Sequence, residues 1–185
     1  MYPDSDGIFA AHFSECAIDP LGRKEHNVRS LIFREAFMDI KKAISTDTVF
    51  QDLKSTTKTG VIEEILDRMI AAGKIRAENR AEVLNAILVR ENKMSTGMQH
   101  GIAIPHAKTD AVEDLVAALA IKKEGIDFDA LDGKPSRIFI LTVSPAKRTG
   151  PHIQFLAEIS RKLNQPAIQE KLLLAQTKED ILQLL

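Results

Sequence analysis

The sequence predicts an α/β domain in which helices cover the faces of a β-sheet. Two observations support this: short β-prone apolar stretches alternate along the chain with longer stretches whose apolar residues recur at helical spacing. Hydrophobic residues make up 44% of the chain and charged residues 28%, which supplies a core and a solvated surface. With 185 residues, the chain is long enough for one domain of ordinary size and an appendage.

The N-terminal part of the chain precedes this alternation. Residues 1 to about 27 contain prolines and glycines without a sustained period, which indicates an irregular extension. From Val28 to Ile44, apolar residues recur at helical spacing and predict an amphipathic helix. Its apolar stripe needs a partner, either the folded domain or a second copy of the protein.

The first elements of the domain are a short strand and a helix. The strand begins at Thr48 to Phe50, and the helix runs through residues 61–70. Ser55 or Thr56 is the predicted N-cap of this helix, because a hydroxyl there accepts a hydrogen bond from the first turn. Gly73 is placed to end the helix in a left-handed C-cap.

A second helix and two strands follow. Asn79 and Glu82 have the spacing of a capping box ahead of the helix, which is predicted to end near Arg90. Residues 116–122 and 137–143 are apolar and β-prone, and the turn-rich stretch DFDALDGKPS separates them. We expect both strands to belong to the same sheet.

The last part of the chain is predicted to be helical. A helix starts just after Gly150-Pro151 and carries His152 in its first turn. Two shorter helical patterns, at residues 167–175 and 178–184, close the chain.

The segment GIAIPHA, residues 101–107, presents one histidine, His106, at the end of a short apolar run. Ile102 and Ile104 alternate with a small residue, as in a buried strand. Pro105 has no N–H, so the strand is predicted to stop where the histidine begins. The imidazole is then fixed in position and open to a partner. The alternative is a strand-end histidine that satisfies a loop carbonyl.

Three features around this histidine resemble one known family. The triplet STG precedes GIAIPHA, Arg90 lies 16 residues before His106, and a second histidine, His152, lies 46 residues after it. With this joint pattern the chain resembles the fructose/mannitol type of enzyme IIA (EIIA) of the bacterial phosphoenolpyruvate-dependent phosphotransferase system, including its nitrogen-regulatory branch. The resemblance covers residues 46–185 and implies a mixed β-sheet flanked by helices on both faces. Residues 1–45 are then an N-terminal extension with one helix.

The resemblance implies a phosphotransferase that works through a phosphohistidine intermediate. His106 would accept the phosphoryl group from the histidine phosphocarrier protein, since a neutral imidazole keeps a lone pair that attacks phosphorus. In the sugar branch, a cysteine of enzyme IIB accepts it next. In the nitrogen branch, phosphorylation alters binding to a regulatory target protein and no sugar is handled. The partner is expected to dock on an apolar patch, with candidates Met94, Met98 and Ile102, although core packing is the alternative for Ile102.

The same resemblance implies how the phosphoryl charge is stabilised. Arg90 offers a planar fork to two phosphoryl oxygens, and His152 offers an N–H at the positive end of its helix. Thr96, Gly97 and Gly101 are further candidates for phosphoryl binding. For each of these three, turn formation or packing is an equal alternative.

Other histidine chemistry is less favoured by the spacing. We predict that His100 is a surface histidine, because six residues of extended strand would separate it from His106 by about 20 Å. A zinc site of His100, His106 and His152 is not expected, since neither a cysteine nor a short-spaced histidine pair lies nearby. No cofactor is implied.

Charge and hydropathy limit the partners. The net charge of −1 gives no global support for binding nucleic acid or an anionic membrane. The apolar stretches are far shorter than the roughly 18–20 residues that span a bilayer, and the polar N-terminus is unlike a secretory signal. The lone Cys16 cannot form an internal disulfide. We therefore expect a cytoplasmic protein without direct membrane insertion.

Overall fold

The computed structural model describes residues 40–185, which form helices packed on a β-sheet. The strands are β1 (Val49–Phe50), β2 (Ile102–Ala103), β3 (His106–Lys108), β4 (Val116–Ile126) and β5 (Ser136–Ser144). The helices are α1 (Ile40–Ala43), α2 (Lys58–Ala71), α3 (Arg80–Lys93), α4 (Thr149–Leu163), α5 (Pro166–Leu174) and α6 (Lys178–Leu184). Short 3-10 turns at Thr46–Thr48 and Ala77–Asn79 precede β1 and α3. Across residues 40–185, no helix combines the length and apolar character needed to cross a membrane.

The sheet is mixed, and β5 lies at its centre. β4 and β5 pair antiparallel, β1 joins β4 in parallel, and both β2 and β3 pair with β5 in parallel. The predicted strands at residues 116–122 and 137–143 are therefore confirmed. Both extend slightly beyond the predicted ends.

Helices cover both faces of this sheet because successive residues of a strand point to opposite sides. In β5, Phe139 and Leu141 belong to one buried cluster with apolar residues of α2 and α3. Ile138 and Ile140 belong to a second cluster with apolar residues of α1, α4, α5 and α6. The predicted α/β architecture, a mixed β-sheet flanked by helices on both faces, is confirmed.

The N-terminal helix predicted over residues 28–44 lies outside the described residues except for its last turn, α1. Ile40 and Ile44 are buried and belong to the same apolar cluster as Phe155 of α4. This turn therefore packs on the domain that follows it. The boundary between residues 45 and 46 stays a prediction.

The N-terminus of α2 differs from its prediction by one or two residues. Thr57 is the N-cap, and its hydroxyl accepts a hydrogen bond from a backbone N–H of the first turn. Ser55 and Thr56 are not the cap. Gly73 has φ +70° and follows the last turn, so the predicted left-handed C-cap is confirmed.

The capping box predicted for α3 does not form. Asn79 has helical backbone angles, and its side-chain amide donates to the carbonyl oxygen of Ala111 at 2.7 Å. The Glu82 carboxylate accepts a hydrogen bond from the Thr109 hydroxyl. Both side chains tie α3 to the loop after β3, because tertiary contacts compete with local capping for the same polar groups.

The segment GIAIPHA pairs with β5 in two pieces that share one register. Ile102 lies opposite Ile138 and His106 lies opposite Thr142. Pro105 interrupts the ladder because it has no N–H, but its carbonyl oxygen accepts a hydrogen bond from the Thr142 N–H at 3.0 Å. The strand that starts at Ile102 therefore stops before the histidine, as predicted, but pairing with β5 resumes at His106 as a separate strand, β3, which the sequence did not predict.

Candidate functional site

The C-terminal half of α3, strand β3 and the N-terminal end of α4 line an open cavity of about 460 Å³. The residues predicted to carry the chemistry, His106, His152 and Arg90, all line it. Lys93 and Lys108 line it too, and none of its lining residues in the described part of the chain is an Asp or Glu. Three cationic side chains around one cavity favour an anionic ligand.

The Nδ1 atom of His106 lies 2.7 Å from the backbone carbonyl oxygen of Ile104. A carbonyl oxygen only accepts, so Nδ1 carries the proton and donates it. In the neutral ring, the lone pair then lies on Nε2. This atom has no hydrogen-bond partner among residues 40–185, which leaves it available to an incoming group.

The pKa of His106 is lowered from its ordinary value. Burial of the ring is the largest cause; the carbonyl of Ile104 opposes it, and the positive charge of Arg90 adds to the lowering, against a smaller opposing effect of Glu91. The imidazole is therefore neutral near pH 7, which is the nucleophilic form.

The second histidine, His152, packs against the first. The ring centroids of His106 and His152 are 5.5 Å apart, and the ring planes are inclined by 54°. His152 is buried, and its Nδ1 lies 2.7 Å from the hydroxyl oxygen of Ser144. Burial lowers the pKa of His152 to about 4, and the charges of His106 and Lys108 contribute. This ring is neutral as well.

The N-terminus of α4 holds His152 in place. The helix begins at Thr149, two residues before Pro151 and earlier than predicted, but His152 does lie in its first turn, as expected. Pro151 lies in that turn too, where its missing N–H costs no helical hydrogen bond. Apolar residues of α4, such as Phe155, bury against the sheet. The Lys108 ammonium donates to the Thr149 hydroxyl at 2.6 Å, which ties β3 to the first residue of the helix.

Arg90 occupies the last turn of α3, as predicted, and is half-buried. One of its terminal nitrogens, Nη1, donates to the carbonyl oxygen of Met94 at 2.9 Å. A guanidinium has five N–H donors, so further donors remain for an anion in the cavity.

The neighbouring residue, Glu91, belongs to a different cluster that the sequence did not indicate. Its buried carboxylate lies 2.8 Å from the Lys58 ammonium and accepts from the Thr96 N–H at 2.9 Å and the Thr96 hydroxyl at 2.5 Å. Burial raises the pKa of Glu91, but Lys58 and Thr96 outweigh it and hold the pKa below its ordinary value. The carbonyl oxygen of Thr96 accepts from the Ile104 N–H at 3.1 Å. The cluster therefore helps to position Ile104, whose carbonyl oxygen accepts the hydrogen bond from His106.

The three predicted phosphoryl-binding residues Thr96, Gly97 and Gly101 are not among the residues that line the cavity. A side chain at position 97 would meet the Ala130 Cα and the Phe128 carbonyl oxygen at 2.8 Å, so Gly97 permits close packing. Gly101 has φ +76° in the turn before β2. A role for these residues in phosphoryl binding stays a prediction.

His100 is exposed and contributes its backbone N–H to a hydrogen bond with the Asp132 carboxylate at 2.9 Å. It does not line the cavity, which agrees with its prediction as a surface histidine. Within residues 40–185, no group of three or more His, Cys, Asp or Glu side chains could hold a metal ion.

The apolar patch predicted for partner docking is present only in part. Met94 is 70% exposed, whereas Ile102 is fully buried and Met98 packs against the core. The sequence did not single out two other exposed apolar side chains, Val89 on the cavity wall and Ile153 beside His152. Their helical positions alone do not distinguish them from core residues.

Comparison with known proteins agrees with this geometry. Residues 42–185 match the family model described as "Phosphoenolpyruvate-dependent sugar phosphotransferase system, EIIA 2". The "PTS system fructose-specific EIIA component" of Haloferax volcanii is 39% identical over 143 residues, which span 77% of this chain and 92% of that protein.

Solved structures show the same fold. The crystal structure of nitrogen regulatory protein IIA-Ntr from Neisseria meningitidis is similar with a TM-score of 0.72 and 26% identity, over 78% of this chain and 97% of that one. The complex of enzyme IIAMTL and phosphorylated enzyme IIBMTL from Escherichia coli contains a chain similar with a TM-score of 0.65 and 21% identity, over 76% and 94%. This chain therefore belongs to the EIIA type-2 family of the phosphoenolpyruvate-dependent sugar phosphotransferase system, a family of phosphoryl carriers.

Proposed function

We propose that this chain carries a phosphoryl group on Nε2 of His106, which it accepts from the histidine phosphocarrier protein and passes to a cysteine of enzyme IIB. One observation carries the proposal. The hydrogen bond from Nδ1 to the Ile104 carbonyl fixes the lone pair on Nε2, in a ring that lines a cavity with three cationic side chains.

In the proposed step, the lone pair of Nε2 attacks phosphorus and forms an N–P bond. The bond from phosphorus to the donor's ring nitrogen breaks, and that nitrogen keeps the electron pair. Positive charge develops on the His106 ring, where the Ile104 carbonyl stabilises it through the Nδ1–H bond. Such transfers depend mainly on positioning and on charge stabilisation at the peripheral oxygens.

The cavity supplies hydrogen-bond donors and positive charge for the peripheral oxygens of the phosphoryl group. Arg90 offers the remaining N–H groups of its guanidinium, and the ammonium groups of Lys93 and Lys108 add positive charge. The neutral ring of His152 offers its N–H at a centroid distance of 5.5 Å from His106. In this proposal Arg90 and His152 are catalytic residues beside the acceptor His106.

Onward transfer to enzyme IIB reverses the chemistry, with a thiolate of the partner as nucleophile. The Escherichia coli IIAMTL chain was solved in a complex with phosphorylated IIBMTL, which supports a partner of the same class here. Exposed apolar residues beside the cavity, Val89, Met94 and Ile153, offer contact area to a docking protein. The proposal places the protein in the cytoplasm.

A second candidate function is the regulatory one. The similarity to the nitrogen regulatory protein IIA-Ntr favours it. Phosphorylation adds up to about two negative charges at one point, enough to change a protein interface. His106 would then accept the phosphoryl group in the same way, but its phosphorylation state would control binding to a regulatory target protein.

The test uses labelled phosphoenolpyruvate with enzyme I and the phosphocarrier protein. We expect acid-labile label on the wild type, none on His106→Ala, and transfer slowed about 100-fold on Arg90→Ala because a charge-stabilising donor is lost. His100→Asn is the matched control, since it removes an exposed imidazole at a left-handed position that asparagine tolerates. It should be labelled like the wild type.

Labelling of His106→Ala at the wild-type rate would contradict the proposed site. Addition of purified enzyme IIB then separates the two functions. Loss of label from the chain with its appearance on the IIB cysteine supports the carrier function. Retention of label in the presence of IIB components favours the regulatory function.

A further inference from the structure

Ser144 is the last residue of β5 and lies beneath the first turn of α4. It is 1% exposed, and its hydroxyl oxygen lies 2.7 Å from Nδ1 of His152. Within the described part of the chain, this hydroxyl has no other hydrogen-bond partner. The contact joins a buried hydroxyl to one of the two histidines of the site.

Hydrogen-bond satisfaction decides which group donates. If Nδ1 of His152 carried the proton, the Ser144 hydroxyl would accept it, and its own hydrogen would be buried without an acceptor. An unsatisfied buried donor is costly, whereas a spare lone pair on a hydroxyl oxygen is not. The hydroxyl therefore donates to Nδ1, and the single proton of the neutral ring lies on Nε2.

We propose that Ser144 is a positioning residue that holds His152 in its Nε2–H tautomer, so that His152 donates this N–H to the phosphoryl group. This inference rests on the proposed function of His106. The two imidazoles are then held in opposite tautomers by different acceptor and donor groups. The backbone carbonyl of Ile104 accepts from Nδ1 of His106, so the lone pair of that ring lies on Nε2. The Ser144 hydroxyl donates to Nδ1 of His152, so the N–H of that ring lies on Nε2.

The tautomer matters because both rings face one cavity. With the opposite tautomer, the lone pair of His152 Nε2 would face the phosphoryl oxygens and repel them. A fixed donor is ready before the charge arrives and costs no reorganisation during transfer. In the unphosphorylated protein, the pKa of about 4 keeps His152 neutral at neutral pH, so the ring has a single proton whose position Ser144 sets before the phosphoryl group arrives.

The experiment compares wild type with Ser144→Ala and Ser144→Cys. Nitrogen-15 NMR of the imidazoles distinguishes a protonated ring nitrogen from one that carries a lone pair. In the wild type we expect the lone-pair signal for Nδ1 of His152. Because one hydrogen bond is lost, Ser144→Ala should change the tautomer ratio of His152 and slow phosphoryl transfer to His106 by about fivefold each. Ser144→Cys keeps a weaker donor and should give intermediate values.

Ser136→Ala is the matched control. Ser136 begins the same strand, is also buried, and its hydroxyl contacts the Ile102 carbonyl oxygen at 3.4 Å. This variant should keep the tautomer ratio of His152. The His106 signals, set by a backbone carbonyl, should stay unchanged in both alanine variants.

Three results would overturn the inference. They are a wild-type His152 with its proton on Nδ1, a Ser144→Ala variant with an unchanged tautomer ratio, or an altered ratio with an unchanged transfer rate. The NMR measurement needs no phosphoryl donor. A wild type that takes up no label on His106 would therefore contradict the proposed function itself, and the spectra would still decide what Ser144 does.

Discussion

The last turn of α3 separates two polar regions, one whose polar groups have partners and one whose polar groups are open to a ligand. Arg90 lines the cavity of the two histidines, whereas the next residue, Glu91, points into a buried cluster with Lys58 and Thr96. Both oxygens of the Glu91 carboxylate have partners, and the charge is compensated. In the cavity, Nε2 of His106 is without a partner among residues 40–185, and three cations face a space without a carboxylate. The Glu91 cluster, whose charges are paired, stabilises the fold, whereas the histidine cavity keeps its donors and its lone pair for an anionic ligand.

The two regions are connected through the backbone. Thr96, which donates twice to Glu91, accepts a hydrogen bond from the Ile104 N–H, and the Ile104 carbonyl holds Nδ1 of His106. The buried cluster thus supports the tautomer of the nucleophile without contact to the cavity. We therefore expect substitutions in the Glu91 cluster to lower stability with little effect on transfer, and substitutions of the cavity residues to slow transfer.

The largest expected effect on stability comes from Lys58→Met. This change leaves the Glu91 carboxylate buried without its ammonium partner, so the free energy of unfolding should fall by about 4 kcal/mol. The transfer rate per folded molecule should change little, because Lys58 is not part of the cavity. Urea unfolding followed by circular dichroism measures the first quantity, and the phosphoenolpyruvate assay measures the second.

The control is Lys171→Met, which removes an exposed lysine from α5 and should leave the unfolding free energy nearly unchanged. If the free energy of unfolding of Lys58→Met fell by less than about 1 kcal/mol, the Lys58–Glu91 pair would contribute no more to stability than an exposed ion pair does.

The two regions should also respond to pH in different windows. The pKa of His152 is about 4 in the fold against an ordinary 6.5, so below pH 6.5 the unfolded chain binds a proton that the folded chain does not. Stability is thus highest above pH 6.5 and falls as the pH drops from 6.5 towards 4, by about 3 kcal/mol across the window. The lowered pKa of His106 acts with the same sign.

Glu91 acts in a lower window. Its pKa is below the ordinary 4.5, so its contribution is present above that pH and is lost only as the pH falls further. Urea unfolding of wild type and His152→Gln at several pH values between 7 and 4.5 measures the contribution of His152, because Glu91 contributes its change only below that range. The variant should lose much of the pH dependence. An equal slope in both proteins would show that His152 is not the titrating group.

The sequence predicted the elements better than the contacts between them. Periodicity placed α4 and the two long strands, and the resemblance singled out Arg90, His106 and His152, which all line one cavity. Local rules failed where a distant group competed, as at Asn79, whose amide contacts Ala111 rather than its own helix. The contacts of Ser144 with His152 and of Glu91 with Lys58 join side chains of different elements, so no local pattern could indicate them.

Thr96→Val gives the smallest effect and the sharpest test of the boundary between the two regions. The change removes the hydroxyl that donates to Glu91 at 2.5 Å but keeps the size of the side chain and the backbone N–H. Because a hydrogen bond to a charged group is lost, the free energy of unfolding should fall by about 2 kcal/mol. Transfer to His106 should stay within about twofold of wild type, because the lost hydrogen bond lies outside the cavity and makes no contact with the phosphoryl group. A much larger loss of transfer with unchanged stability would instead assign the Thr96 hydroxyl to phosphoryl binding, the role for which the family resemblance made it a candidate.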